Sequence, residues 1–259
     1  MKTLLRRLYG KQKSVSPTDV DSYERKVSTL RQQLPDATDQ DRELIASVQH
    51  LTMTSPERIL ALVNAVSYLA TNRIEGDFVE CGVWKGGSMV ATANTLIAHG
   101  DTDRRLWLYD TFEGMSEPTE EDVDFMGRTA NRLLNEQDRL QSDSIWCFSP
   151  LEHVRSVMRA TGYPESLVEF VPGKVEDSLP QTKPEKIALL RLDTDWYEST
   201  RCELEHLFPR MVDGAVLIVD DYGHWEGCRR AVDEYFQKHG VRILLNRIDY
   251  TGRIGIVGR

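Results

Sequence analysis

The sequence has no surplus of positive charge. Its 259 residues contain 32 lysines and arginines against 41 aspartates and glutamates, which gives a formal net charge of -9 at pH 7. Proteins that bind nucleic acid neutralise its phosphates with lysine and arginine. The charge balance therefore argues against a nucleic-acid partner.

Cysteine is scarce, and long apolar runs are missing. The four cysteines are widely spaced and form no Cys-x-x-Cys pair, which favours free thiols in a reducing compartment over disulfides or zinc sites. No stretch approaches the roughly 20 apolar residues of a membrane span, and the N-terminus has no apolar core of signal-peptide length. We therefore expect a cytoplasmic protein without a membrane span.

Two regions of different character divide the chain. Residues 1–50 are polar, with a basic segment at 2–13, and predict an N-terminal arm or helical extension. Arms of this kind can clasp a second subunit, so a homodimer is a further expectation. Residues 51–259 have the length and composition of one α/β domain. Inside them, residues 113–148 form a long acidic and polar insertion that predicts a lid over the ligand.

Short apolar runs alternate with helical patterns along this domain. We predict five strands at 77–83, 106–110, 168–171, 187–193 and 215–220, and helices at 86–98, 150–160, 198–208 and 226–238. Two further runs, 243–248 and 253–257, flank Tyr250-Thr251-Gly252 and predict a hairpin. The expected fold is a Rossmann-like, seven-stranded and mostly parallel sheet with helices on both faces and a C-terminal antiparallel hairpin.

Ligands of such sheets bind beyond the carboxyl ends of the strands. The first strand leads into the segment ECGVWKGGS (80–88), whose glycines allow a tight turn and whose following helix offers free N–H groups to an anion. Its spacing differs from Gly-x-Gly-x-x-Gly, which disfavours a nicotinamide dinucleotide. Asp110 ends the second strand and can accept both hydroxyls of a ribose. A nucleoside with a small charged tail, such as S-adenosylmethionine (SAM), fits these features.

Carboxylates follow each of the five predicted strands and are densest after the fourth and the fifth. Asp193 ends the fourth strand, and Asp220 and Asp221 end the fifth. If these strands are neighbours, the three acids converge and repel one another unless a cation lies among them. Oxygen ligands without His or Cys favour Mg²⁺, with Mn²⁺ as an alternative. Separate salt bridges to Arg191 or Arg201 are the alternative to a metal.

Four segments together resemble a known family. VECGVWKGGS (79–88), LYDTFEGM (108–115), LLRLDTDWYEST (189–200) and VLIVDDYG (216–223) are similar to the macrocin O-methyltransferase (TylF/MycF) family. The resemblance runs from about Met53 to Asp233 and implies a class I methyltransferase fold. It also implies a SAM- and Mg²⁺-dependent enzyme of antibiotic biosynthesis that methylates a hydroxyl of a sugar or a glycosylated natural product.

The resemblance also implies a set of site residues. Asp193, Asp220 and Asp221 match the metal ligands, and Asp193 matches the general base. The cofactor-binding positions that it implies are Met53, Thr54, Glu80, Gly82, Ser88, Asp110 and Asp177. Thr194 stands where the family is expected to have glycine, and Trp196 where a smaller residue is expected. Because both departures lie beside the metal ligands, they bear on the identity of the acceptor.

Several alternatives stay open at this stage. Asp195 or His224 can replace Asp193 as the base that takes the proton from the acceptor hydroxyl. A catechol- or phenol-type methyltransferase uses the same metal chemistry. A nicotinamide-dependent oxidoreductase and a non-catalytic SAM-binding protein are the alternatives from other classes.

Overall fold

The computed structural model describes residues 17–139, 141 and 144–258. The basic segment at residues 2–13 lies outside this part. The chain begins with two helices, α1 (Pro17–Gln33) and α2 (Asp39–Val48), and Thr38 caps the second of them in a capping box with Asp41. Leu30 and Ile45 are buried in the same core cluster as residues of the main domain. The described part of the N-terminal region is therefore helical and packed onto the domain.

Seven strands form a single sheet. In chain order they are β1 (Asp77–Cys81), β2 (Leu106–Asp110), β3 (Val168–Pro172), β4 (Ile187–Leu192), β5 (Met211–Val219), β6 (Asn246–Arg247) and β7 (Arg253–Ile256). Their order across the sheet is β3-β2-β1-β4-β5-β7-β6. Strands β1 to β5 are parallel, whereas β7 pairs antiparallel with both β5 and β6. This arrangement confirms the predicted sheet, and the neighbouring positions of β4 and β5 confirm the expected meeting of their ends.

Most strand ends agree with the prediction to within one or two residues, but β5 and β6 differ more. Strand β5 begins at Met211 rather than at 215, because Met211 pairs with Ile187 and the register then shifts before Leu189 pairs with Val216. Gly214 has a positive φ of 80° within this irregular stretch, which hides the start of the strand from a pattern search. Strand β6 has two residues instead of the six predicted, and Leu244 just before it is 77% exposed.

Helices cover both faces of the sheet. They are α3 (Pro56–Thr71), α4 (Gly87–His99), α5 (Ala130–Asn135), α6 (Leu151–Thr161), α7 (Val175–Ser178), α8 (Tyr197–Leu207) and α9 (Glu226–His239). Phe78 and Val216 face a core that holds α3, α4 and α6, whereas Val79 and Leu217 face one that holds α8 and α9. This alternation is what strands buried on both faces require.

The insertion at 113–148 is attached to the body at several points. Asp122 is fully buried and accepts the backbone N–H of Tyr197 at the start of α8 over 2.8 Å. Asp124 is also fully buried, and its segment forms a β-bridge with Trp225. Trp196 donates from its indole nitrogen to the Ser116 carbonyl over 3.1 Å. The insertion therefore packs against the segments that begin α8 and α9.

Two further features of the described residues concern the cysteines and the length of apolar helices. The four cysteines are free thiols, and Cys81, Cys202 and Cys228 are buried. None of the described helices has both the length and the apolar character that crossing a bilayer requires.

Candidate active site

A cavity of about 330 Å³ opens at the carboxyl ends of the central strands. Eight of the residues singled out in the sequence line it: Met53, Thr54, Gly82, Ser88, Asp110, Asp193, Asp220 and Asp221. The glycine loop after β1 and the acids after β4 and β5 therefore share one cavity. Its volume lies within the range of small-molecule sites.

Gly82 brings the glycine loop against the end of β4. Its φ is 84°, and a Cβ atom at this position would lie 1.9 Å from the Asp193 carbonyl oxygen. The backbone N–H of Asp193 in turn donates to the Cys81 carbonyl over 2.9 Å. No residue with a side chain fits here, so glycine sets how closely Asp193 approaches the loop.

Asp110 holds the glycine loop from the neighbouring strand. Its carboxylate accepts the backbone N–H groups of Val83 at 2.7 Å, Trp84 at 2.9 Å and Phe112 at 2.6 Å. Burial raises the pKa of Asp110, and these three donors oppose the rise. A carboxylate has about four lone-pair directions, so part of its acceptor capacity remains for a ligand hydroxyl.

Two of the predicted cofactor residues do not reach the cavity. Asp177 is exposed on α7, and its neighbour Glu176 lines the cavity instead. Glu80 is buried beneath the site, where Arg191 donates to its Oε1 atom. Burial raises the pKa of Glu80 to about 7, and Arg191 opposes this rise. In this structure Glu80 therefore supports Arg191.

Three carboxyl groups come together at the tips of β4 and β5. One oxygen from each of Asp193, Asp195 and Asp221 lies within 4.8 Å of the other two. The sequence weighed Asp195 only as an alternative base, yet here it completes the cluster. Its φ of 69° lies in the left-handed region, which aspartate tolerates better than most residues.

Asp220 lines the same cavity, but both of its carboxylate oxygens pair with arginines. Its Oδ1 accepts from Arg191 Nη2 over 2.6 Å, and its Oδ2 contacts the Arg58 guanidinium. Arg191 Nη1 also donates to Asp193 Oδ2 over 2.6 Å. The alternative of salt bridges instead of a metal therefore applies to both oxygens of Asp220 and to one oxygen of Asp193. Arg201 does not take part, because it pairs with acids on its own helix.

The carboxyl groups of the cluster are protonated more readily than free ones. Burial first, and then neighbouring acids, raise the pKa of Asp193 well above its ordinary value, although Arg191 opposes the rise. Burial and Asp195 raise the pKa of Asp221 well above its ordinary value, and burial raises the pKa of Asp195 to about 7. Two arginines therefore do not balance the negative charge at these strand tips.

The donor set fits a hard divalent cation. Asp221 Oδ2 is buried, and none of the N–H or O–H groups in the described residues donates to it. Asp195 lies close enough to raise the pKa of Asp221. A divalent cation would offset the repulsion between these carboxylates and could take oxygen ligands from Asp193, Asp195 and Asp221.

The two departures from the family pattern have structural partners. Thr194 donates from its hydroxyl to Oε1 of Glu203 over 2.8 Å, and Glu203 is fully buried on α8. Burial raises the pKa of Glu203 well above its ordinary value. Trp196 packs edge-on against Trp225 with ring centroids 5.0 Å apart, and both line the cavity. These contacts fix the loop that carries Asp193 and Asp195.

His224 lies at the rim of the same cavity. Its Nδ1 atom is 3.1 Å from the Tyr250 hydroxyl, and burial lowers its pKa below the ordinary value. A neutral imidazole at this position can accept a proton. His224 does not, however, belong to the cluster formed by Asp193, Asp195 and Asp221. His224 is thus a wall residue whose partner is Tyr250.

Sequence patterns gave no indication of Arg58 or Glu203. Arg58 lies 162 positions from Asp220 along the chain, in a helix with an ordinary amphipathic pattern. Glu203 occurs in the acid-rich helix ESTRCELEHL, where nothing marks it as the buried member. Arg191 had a detectable signal, since a charged residue inside the otherwise apolar strand IALLRL implies a buried partner.

Comparison with known proteins places this geometry in a family. The sequence model of the family described as macrocin O-methyltransferase (TylF) matches residues 4–254. The 8-demethyl-8-(2,3-dimethoxy-α-L-rhamnosyl)-tetracenomycin-C 4′-O-methyltransferase of Streptomyces olivaceus is 38% identical over 206 residues, which cover 80% of this chain and 75% of that protein.

Solved structures share the fold. The O-methyltransferase NovP superposes with a TM-score of 0.69 and 32% identity, covering 81% of this chain and 83% of that one. A Bacillus cereus O-methyltransferase in complex with SAH has a TM-score of 0.53 and 15% identity, covering 92% and 100% of the two chains. The second similarity concerns the fold alone.

Proposed function

Because this chain belongs to the macrocin O-methyltransferase (TylF) family and is an O-methyltransferase, we propose that it transfers a methyl group from SAM to a sugar hydroxyl with the help of a divalent cation. The observation that carries the proposal is the single cavity lined both by the glycine loop with Asp110 and by Asp193, Asp195 and Asp221. A methyl donor and an acceptor oxygen can meet there.

The donor half of the cavity suits SAM. The loop from Gly82 to Ser88 leads into the N-terminus of α4, whose free N–H groups suit a carboxylate. Asp110 lies beside that loop and has acceptor capacity left for ribose hydroxyls. Met53 and Thr54 line the same cavity. The SAH complex of the Bacillus cereus neighbour supports this choice at the level of the fold.

The acceptor half suits a divalent cation and a hydroxyl group. Asp193, Asp195 and Asp221 would hold Mg²⁺ or Mn²⁺, and Arg58 and Arg191 keep Asp220 close behind them. When bound, the cation supplies positive charge that stabilises a developing alkoxide. Asp193 is the proposed base, because it lines the cavity at the point where the acceptor hydroxyl would meet the cation. The cavity walls fix the line between methyl donor and acceptor oxygen.

The acceptor class follows from the relatives and from the cavity. The Streptomyces olivaceus enzyme is named as the 4′-O-methyltransferase of a rhamnosyl-tetracenomycin. Carboxylates and a cation can orient vicinal hydroxyls, which both sugars and catechols offer. The family favours the sugar, on a glycosylated natural product of antibiotic type, and the insertion at 113–148 would cover it as a lid.

Product analysis tests the proposal against its rivals. The protein is incubated with SAM and Mg²⁺ together with methyl α-L-rhamnoside or catechol, and methylated products are detected by mass spectrometry. The proposal expects a methylated rhamnoside, whereas a product from catechol alone would replace the sugar with a phenol. Tight binding of NAD(P)H with none of SAM, measured by calorimetry, would indicate the oxidoreductase instead.

A further inference from the structure

A turn beside the cavity presents two large apolar side chains to solvent. Phe125 is 56% exposed and Met126 is 66% exposed. The turn that carries them is rigid, because Asp124 accepts the backbone N–H groups of Met126 and Arg128, each over 2.9 Å. Asp124 is fully buried and forms an ion pair with Arg128. A buried carboxylate is thus used to hold an exposed apolar turn in one conformation.

The Phe125 ring continues the wall of the cavity outward. Its centroid lies 5.4 Å from that of His224 and 6.0 Å from that of Tyr250, and both contacts are edge-on. His224 and Tyr250 line the cavity. The backbone N–H of Phe125 donates to the His224 carbonyl over 2.8 Å. We call Phe125, Met126, His224 and Tyr250 the aromatic shelf.

The cavity and the shelf have different chemistry. Asp193, Asp195 and Asp221 offer charged oxygens inside the cavity, whereas the shelf offers ring faces and a thioether. A ligand that satisfies both needs a polar end with hydroxyls and an apolar, flat body. Exposed apolar side chains that lie together beside a cavity often mark a ligand-binding surface. Charge and continuity together thus point to an amphiphilic ligand.

We propose that the aromatic shelf binds the planar, apolar aglycone of the acceptor while the sugar occupies the acidic half of the cavity. This inference rests on the proposed function and narrows its substrate class to glycosides of aromatic or similarly flat aglycones. Phe125 and Tyr250 contact the aglycone by ring stacking, and Met126 adapts to its edge. The shelf thereby selects a glycosylated acceptor over the free sugar.

Binding of two matched glycosides tests the shelf. Calorimetry measures the Kd of 2-naphthyl α-L-rhamnoside and methyl α-L-rhamnoside on the full chain saturated with S-adenosylhomocysteine and Mg²⁺. The wild type binds the naphthyl glycoside more tightly, and Phe125→Ala raises that Kd about tenfold, as expected for the loss of ring contact. The Kd of methyl rhamnoside stays within about twofold, which is below the effect of one ring contact.

Matched variants separate binding from folding. Phe125→Tyr keeps the ring and is expected to retain the wild-type preference. Leu244→Ala removes a 77% exposed leucine that does not line the cavity and is expected to change neither Kd. Equal losses for both glycosides in Phe125→Ala would mean that the ring only holds the turn. Sedimentation showing that Phe125→Ala turns a dimer into a monomer would make the patch a subunit interface. Either result overturns the shelf.

Binding and methylation of the two glycosides distinguish an error in the shelf proposal from an error in the proposed function. If methyl rhamnoside is bound and methylated but the naphthyl group brings no advantage, the shelf is wrong and the sugar methyltransferase stands. If the naphthyl glycoside binds through Phe125 but is never methylated, the shelf stands and the proposed function is wrong. If neither glycoside binds, both are wrong.

Discussion

Arg191 donates from Nη1 to Asp193 Oδ2 over 2.6 Å and from Nη2 to Asp220 Oδ1 over the same distance. One guanidinium thus joins the tips of β4 and β5 and also contacts Glu80 from β1. Its side chain is only 3% exposed. Because the planar guanidinium holds several acids in a fixed geometry, the acidic cluster has a rigid support before any ligand binds.

Arg191→Met is expected to lower the free energy of unfolding by about 3–5 kcal/mol. The substitution leaves Glu80 and Asp220 buried without their main cation, and removing one partner of a buried ion pair costs this much. Urea denaturation measures the change. Arg201→Met is the matched control, because its ion pairs lie on the surface of α8 and the expected loss is below about 1 kcal/mol. Equal losses in the two variants would contradict the supporting role of Arg191.

Asp193→Asn is expected to lower kcat for methyl transfer about a thousandfold, since general-base catalysis alone accounts for roughly a hundred- to ten-thousandfold. Binding of S-adenosylhomocysteine is expected to stay nearly intact, because the donor half of the cavity is built from other segments. Initial rates and calorimetry measure the two effects. Asp103→Asn, at an exposed position before β2, serves as the control. Normal turnover in Asp193→Asn would remove this residue from the mechanism.

Comparing the stability of Gly82→Ala and Gly162→Ala separates the effect of a steric clash at the new Cβ atom from the effect of an unfavourable φ angle. Both glycines have positive φ angles, 84° and 78°. A Cβ at Gly82 would meet the Asp193 backbone, whereas nothing lies within 4 Å of one at Gly162. We expect Gly82→Ala to destabilise by about 3 kcal/mol or more and Gly162→Ala by about 1 kcal/mol. Similar unfolding free energies for the two variants would mean that strain alone is at work.

Glu203→Gln is expected to change the pH dependence of stability. Because the pKa of Glu203 is raised above its ordinary value of 4.5 in the folded protein, the folded state binds this proton more tightly than the unfolded state. Stability from this group is therefore complete below pH 4.5 and is lost as the pH rises toward the folded pKa. Glutamine carries no such proton.

The measurement compares unfolding free energies at pH 5.5 and pH 8. Wild type should lose more stability between the two than Glu203→Gln does. Glu205→Gln, on the same helix but in a surface ion pair, should behave like wild type. An equal loss in wild type and Glu203→Gln would show that Glu203 is already ionised in the folded protein at pH 5.5.

The sheet was predictable because its strands are buried on both faces. Strands β1 and β4 are mainly apolar, with Asp77 and Glu80 as the charged residues of β1 and Arg191 as that of β4. The alternation of such strands with helices predicts a parallel order. Strand β5 was only partly predictable, since Asp213 and Gly214 interrupt its apolar pattern while the backbone pairing continues to Met211. The hydrophobic pattern of a segment predicts which residues are buried, but it does not predict a shift in the pairing register between two strands.

The site was predictable in its location but less so in its pairings. Asp193, Asp220 and Asp221 were expected together because parallel strands end at one edge. Which oxygens are open to a ligand depends on contacts from distant segments. Arg58 from α3 pairs with Asp220, whereas Asp195, whose φ is left-handed, has an oxygen in the acidic cluster. Such selection by long-range ion pairs leaves no local pattern in the sequence.

Removal and return of divalent cations tests the central claim most directly. The protein is treated with EDTA, incubated with SAM and methyl α-L-rhamnoside, and assayed by mass spectrometry before and after Mg²⁺ is added. The account predicts that no rhamnoside is methylated in the chelated sample and that Mg²⁺ restores the product. Undiminished methylation after complete chelation would contradict it.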